Sequence, residues 1–184
     1  MLRRLVVLAA CVACASPALA LDMPQRKPGL WQLKMAFDNA GLPERMMEQC
    51  TDASTDKLMN GNYGGSAMET CSKQDVHNSG GTITIDSVCS FGGATTTSHA
   101  VVTGSFDSAY TVDMTSTRHG APVPGMPAEG STHMKVEAKW LGPCAAGQKP
   151  GDVIVGNQKF NMVEMQKMQQ QMRGMPLRPP YARP

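Results

Sequence analysis

The chain has 184 residues, with 17 Lys and Arg residues against 15 Asp and Glu residues, and six cysteines. A predicted export signal contains Arg3, Arg4, Cys11 and Cys14. Without it, the rest of the chain has a formal net charge of zero and four cysteines. Zero net charge excludes a nucleic-acid binder that depends on bulk positive charge. Four cysteines in an exported chain also argue against a reducing cytosolic environment.

Residues 1–20 have the three parts of a signal peptide. A charged start is followed by an apolar run over residues 5–15 and by Ala18-Leu19-Ala20, the small residues of a cleavage site. As a helix the run would span about 17 Å, too little for a hydrocarbon core of about 30 Å. We therefore expect cleavage near Ala20, no later transmembrane segment, and a periplasmic or secreted protein. The alternative is a lipoprotein cleaved before Cys11.

Residues 21–157 are predicted to form one β domain. In the first strand an apolar face recurs at every second position, and residues 44–50 are expected to return beside it. Further strands are predicted at 68–76, 82–91, 94–103, 109–118 and 132–140, the first two joined by a turn at 77–81. The fold class is therefore mainly β, with a curled antiparallel meander or partial barrel.

Two segments are predicted to be helical. Thr51 or Ser54 can cap a short helix that ends near Met59. A Met-rich amphipathic helix is predicted over residues 158–175, with Gly174 and Pro176 as stop signals. The proline-rich residues 176–184 are expected to form a disordered tail.

The four remaining cysteines permit three pairings. If the turn at 77–81 is centred near residue 79 or 80, Cys71 and Cys89 face each other across the hairpin, within reach of a disulfide. Cys50 then pairs with Cys144 by elimination. A metal site is the alternative, but the spacings between the cysteines lack the close pairs of structural zinc sites.

Several of these landmarks follow one another in an order that resembles a known family. Residues 27–31 read Lys-Pro-Gly-Leu-Trp, Cys50-Thr51 precedes the short helix, two cysteines follow, and Gly142-Pro143-Cys144 ends the last strand. Over residues 25–146 the chain resembles the bacterial exported family catalogued as domain of unknown function 3617, although residues 51–54, Thr-Asp-Ala-Ser, depart from the Leu-Thr-Pro-Glu that often follows the first cysteine. The resemblance implies an exported, cysteine-bearing, mostly β domain and brings no catalytic residue.

The histidines offer a first candidate site. If the strands pair as predicted, a group of side chains shares one polar face and offers a metal or acid–base site: His99, His119, His133, Asp113 and Glu137. The alternative is an ordinary water-facing surface, which we favour. Nucleophile-elbow, zinc-protease and phosphate-loop motifs are absent from the sequence. We expect a protein that is not an enzyme.

The methionines offer a second candidate site. One face of the C-terminal helix carries Met165, Met168, Met172 and Met175, while Met162 lies away from it. Thioethers are soft ligands that suit Cu(I), but methionine also supplies an adaptable apolar surface that docks on a sheet or partner. The leading hypothesis is that the protein is an exported module that is not an enzyme and has no cofactor. We expect it to bind a small apolar ligand or an envelope protein. Periplasmic Cu(I) binding through the helix is the alternative.

Overall fold

A computed structural model describes residues 23–38, 43–60, 70–121 and 129–174. Both the predicted signal peptide (1–20) and the predicted tail (176–184) lie outside these residues. The elements in chain order are β1 (Gly29–Phe37), β2 (Arg45–Thr51), α1 (Ala53–Asn60), β3 (Thr70–Ser79), β4 (Thr82–Phe91), β5 (Ala94–Ser105), β6 (Ala109–Gly120), β7 (Gly130–Gly142), β8 (Asp152–Val155), β9 (Gln158–Asn161) and α2 (Met162–Gly174).

The strands form one open antiparallel sheet in the order β3-β4-β5-β6-β7-β1-β2-β8-β9. Strands β3 to β7 are a meander of successive hairpins. β7 then pairs with β1, which places the hairpin of β1 and β2 beside the meander. The mainly β prediction is confirmed, as is the expected return of β2 alongside β1.

Both predicted disulfides are confirmed. Cys71 is paired opposite Cys89 across the hairpin of β3 and β4, and Cys50 is bonded to Cys144. The turn between β3 and β4 is shorter than predicted, because β3 continues to Ser79 and only Gly80 and Gly81 separate the strands. Both glycines have positive φ, as a two-residue type I′ hairpin turn requires.

The starts of α1 and α2 differ from those predicted from the sequence. Neither Thr51 nor Ser54 caps α1; the Asp52 carboxylate accepts hydrogen bonds from the backbone N–H groups of Ser54 and Thr55. The C-terminal helix does not begin at residue 158, because residues 158–161 pair with β8 as strand β9. Asn161 then caps α2, because its side-chain oxygen accepts hydrogen bonds from the backbone N–H groups of Val163 and Glu164.

Candidate functional site

The register of the strands separates an apolar face of the sheet from a polar face. Directly opposed residues of antiparallel strands point to the same side, so a row can be followed from strand to strand. Two adjacent rows are apolar, and together we call them the apolar stripe: Val76, Ile85, Ala100, Met114, Met134 and Phe37, with Ile83, Val102, Val112, Val136 and Met35 beside them.

The N-terminal segment covers one end of the apolar face. Met23 packs against the core, and the Lys27 N–H donates to the Phe106 carbonyl in the turn between β5 and β6 (2.8 Å). The Lys27 ammonium lies 3.7 Å from the ring centre of Trp140, and the Trp31 indole donates to the Lys27 carbonyl. This segment, with the buried Trp31, closes the face beside the apolar stripe.

A buried ion pair holds the segment in place. The Arg26 guanidinium donates from Nε to Asp56 in α1 (2.6 Å), and the Arg26 backbone N–H donates to the other carboxylate oxygen (2.9 Å). Both side chains are fully buried. Arg26 also donates to Gln49 of β2 (2.9 Å), so the segment, α1 and the sheet are joined at one residue.

The family landmarks meet at the same corner of the sheet. Gly29 has φ of +136°, and a Cβ there would lie 2.6 Å from the Trp140 indole nitrogen and closer still to the Gly142 carbonyl oxygen. Trp31 is paired opposite Trp140, and the disulfide joins Cys50 to the chain just beyond Gly142. These residues therefore build the fold at this corner.

Away from that corner the apolar stripe is less covered. Ile83, Val102 and Val136 are buried at its centre. Most of its other side chains are half-buried: Val76, Ile85, Met114, Met134, Phe37, Val112 and Met35. The stripe therefore presents accessible apolar surface across six strands.

A hydroxyl row borders the stripe. Ser87, Ser98, Ser116 and Thr132 are opposed across four strands, and the Ser98 and Ser116 hydroxyls lie 2.9 Å apart. Arg118 occupies the next position of β6 on the same face. Among the described residues of β1–β7, the charged side chains on the apolar face are Arg45 and Arg118, whereas every Asp and Glu falls on the polar face.

The polar face contains the predicted histidine group, and the register places all five predicted members there. His133 lies between two carboxylates, with Nδ1 2.6 Å from Asp38 and Nε2 2.8 Å from Asp113. These contacts raise the pKa of His133, the Asp113 hydrogen bond most and the Asp38 hydrogen bond next. The His133 ring is therefore a bridge between strands.

The rest of that group does not join His133 in one site. His99 contacts Asp86 instead (2.8 Å), and Glu137 pairs with Lys135 (2.9 Å). His119 lies four residues beyond the row of His133, a separation of about 13 Å along a strand. In the described ranges no three His, Cys, Asp or Glu side chains converge to hold a metal ion.

A shallow groove of about 420 Å³ also lies on the polar face, lined by Gln32, Lys34, Met46, Thr111, Glu137 and Lys139 among others. Two of its charged residues are already paired: Lys34 with Glu44 (3.0 Å) and Glu137 with Lys135. The groove is open and mixed in character, and it offers no convergent set of polar groups.

The predicted methionine site lies on α2, which packs against α1 and β9. Met165 and Met168 are 41% and 56% exposed. The side chain of Met172 and the whole of Met175 lie outside the described part of the chain. None of the helices in the described ranges is long and apolar enough to cross a membrane.

The domain belongs to the mainly β class: it is an open antiparallel sheet with two disulfides and one accessible apolar face. The chain belongs to the family described as protein of unknown function (DUF3617), whose model matches residues 26–144. That range begins at the buried Arg26 and ends at the disulfide-bonded Cys144. No curated protein and no solved structure matches the chain.

The contacts of the buried polar residues were not predictable from the sequence. Arg26 and Asp56 are 30 positions apart and carry no local pattern that indicates their contact. The contact between Asp152 and Asn161 was not predictable either, because it depends on the pairing of β8 with β9, which the sequence pattern did not indicate. The apolar face was visible as alternation, but which part of it stays accessible depends on where the N-terminal segment lies.

Proposed function

We propose that the protein is an exported, non-enzymatic module that binds a small apolar ligand along the apolar stripe. The observation that carries the proposal is the row of apolar side chains that crosses six strands, from Val76 to Phe37, and is half-buried at every position except the buried Ala100. Binding sites for small molecules are lined mostly by apolar side chains, with a few polar groups that fix the orientation of the ligand, and the hydroxyl row supplies such groups beside the stripe.

Methionines make the stripe adaptable. Met35, Met114 and Met134 are half-buried on it, and unbranched thioether side chains repack around ligands of different shape. Export is supported by the signal pattern of residues 1–20 and by the two disulfides, which persist in oxidising compartments.

Methyl NMR on protein labelled at methionine tests the proposal directly. Linear alcohols from hexanol to decanol are titrated, and we expect the methyl signals of Met35, Met114 and Met134 to shift. Burial of each added methylene contributes about 0.8 kcal/mol, so affinity should rise roughly fourfold per carbon. Affinity that does not depend on chain length would overturn the proposal.

A matched pair of variants locates the ligand. Met114→Gln places a polar group in the stripe, whereas Met46→Gln changes a 49% exposed methionine on the polar face. We expect the first variant to weaken decanol binding by about fivefold or more, since apolar contact is lost, and the second to leave it unchanged. Equal effects would place the ligand elsewhere.

An envelope protein is the alternative occupant of the same face. Native mass spectrometry of protein purified from its own cells separates the two cases. A retained mass of a few hundred daltons supports a small ligand, whereas a retained polypeptide supports the protein partner.

Cu(I) binding by α2 is the second candidate, and the exposure of Met165 and Met168 favours it. Their positions, three residues apart, place both thioethers on one side of the helix. Titration with Cu(I) in ascorbate, which spares the disulfides, is compared between the wild type and Met165→Leu/Met168→Leu. Copper affinity that survives in this double variant would rule the site out, and Met46→Leu is the control.

A further inference from the structure

The two faces of the sheet carry different charged residues: strand residues of both signs lie on the polar face, and strand arginines alone lie on the apolar face among the described residues of β1–β7. The Asp and Glu residues within β1–β7 all lie on the polar face, where several pair with lysine or histidine. On the apolar face the charged strand residues in the described ranges are both arginines, Arg45 at one border of the stripe and Arg118 beyond the hydroxyl row. An anion near this face therefore meets cationic strand residues and no strand carboxylate.

The order of groups along β6 matches the order of groups in an amphiphile. Met114 belongs to the apolar stripe, Ser116 to the hydroxyl row, and Arg118 comes next on the same side of the strand. Successive members of this series are about 7 Å apart, since residues rise about 3.4 Å each. The surface thus changes from apolar through hydroxyl to cationic over about 14 Å.

We infer that the ligand is an anionic amphiphile, an alkyl chain with one acidic head group. This inference rests on the proposed apolar binding and specifies the ligand. The chain lies along the apolar stripe. The head group accepts hydrogen bonds from hydroxyls of the Ser98 and Ser116 row and interacts with the Arg118 guanidinium, the side chain best suited to bind a carboxylate or phosphate.

Three ligands with the same ten-carbon chain test the inference in the full-length protein: decanoate, decanol and decyltrimethylammonium. We expect decanoate to bind about tenfold more tightly than decanol, and the cation more weakly than either. The preference for decanoate should disappear below a pH of about 4, where a carboxylic acid is protonated. Equal binding of acid and alcohol overturns the inference and leaves apolar binding intact; failure of all three overturns both.

Two arginine variants locate the head group. In Arg118→Gln we expect the preference for decanoate over decanol to fall to about twofold or less, with decanol affinity unchanged. Arg45→Gln, at the β2 end of the row that contains Met35, should retain the preference. If the preference for decanoate over decanol is lost only in Arg45→Gln, the head group lies near Arg45 and its assignment to Arg118 is overturned. If Arg118→Gln does not fold, the ligand series in the wild type and the signal shifts of the Ser98 and Ser116 amides decide instead.

Discussion

Arg26 and Asp56 form a fully buried ion pair in which one carboxylate accepts hydrogen bonds from both the backbone and the side chain of the arginine. Removal of one partner leaves the other charge buried without compensation, which costs about 3–5 kcal/mol. We expect Arg26→Met and Asp56→Leu each to lower the free energy of unfolding by that amount in urea titrations. The double variant should lose much less than the sum of the two.

An exposed ion pair provides the control for this cycle. Lys34 and Glu44 are 41% and 58% exposed, and their coupling should stay below about 1 kcal/mol. If the Arg26 and Asp56 variants are additive, the buried pair does not couple the N-terminal segment to α1.

Asp152 is predicted to make the C-terminal part of the fold sensitive to acid. Burial by itself raises the pKa of Asp152, but hydrogen bonds from Asn161, Lys159 and the Lys149 N–H outweigh it and lower the pKa to about 2. A carboxylate with a folded pKa below its unfolded value stabilises the protein above a pH of about 4. This stabilisation, on the order of 2 kcal/mol, should be lost as the pH falls towards 2.

The variant Asp152→Asn tests this pH dependence. Compared with the wild type by urea unfolding, it should be less stable at pH 6, and the difference should shrink at pH 3 or below. Hydrogen exchange of the Val163 and Glu164 amides should accelerate in the variant, because Asn161 both contacts Asp152 and caps α2. Asp107→Asn, in an exposed turn, is the control. A constant difference at all pH values would contradict the assignment.

The two disulfides should differ in their contributions to stability. Cys50 and Cys144 are 94 residues apart, and Cys71 and Cys89 are 18 apart. In the chain-entropy model these loops correspond to about 4–5 and about 3 kcal/mol. Paired Cys→Ala variants, unfolded in urea, should reproduce that order. A larger loss without Cys71 and Cys89 would show that loop length does not govern the effect.

The sheet was predictable because strand alternation and turn residues are local signals. Cys71 and Cys89 could even be paired from their distances to the Gly80-Gly81 turn. The start of α2 was not predictable, since Gln158 to Asn161 are compatible with a helix and form β9 only because β8 lies beside them. The burial of Arg26 was not predictable either. An arginine before a strand is expected to be solvated, and its distant partner Asp56 is known only from the structure. For the candidate site, alternation identified the apolar face, whereas its accessible part and its cationic border depend on the register across strands.

His133 is predicted to act as a protonated bridge between β1 and β6. Both ring nitrogens face carboxylates, and only the imidazolium can donate a proton to each of them. The raised pKa of His133 comes first from Asp113 and then from Asp38. The bridge is therefore complete below the ordinary histidine pKa of about 6.5 and is lost as the pH rises through the raised value.

Titration of the His133 ring signals by NMR checks this prediction. We expect Asp113→Asn to lower the pKa of His133 more than Asp38→Asn does, with the double variant lowest. Asp107→Asn should leave it unchanged. The Asp38 amide, which donates to the His133 carbonyl, should exchange faster with solvent above that pKa, because the side-chain contact that supports the end of β1 has been lost. A His133 pKa that is the same in all these variants would show that the carboxylates do not hold the proton.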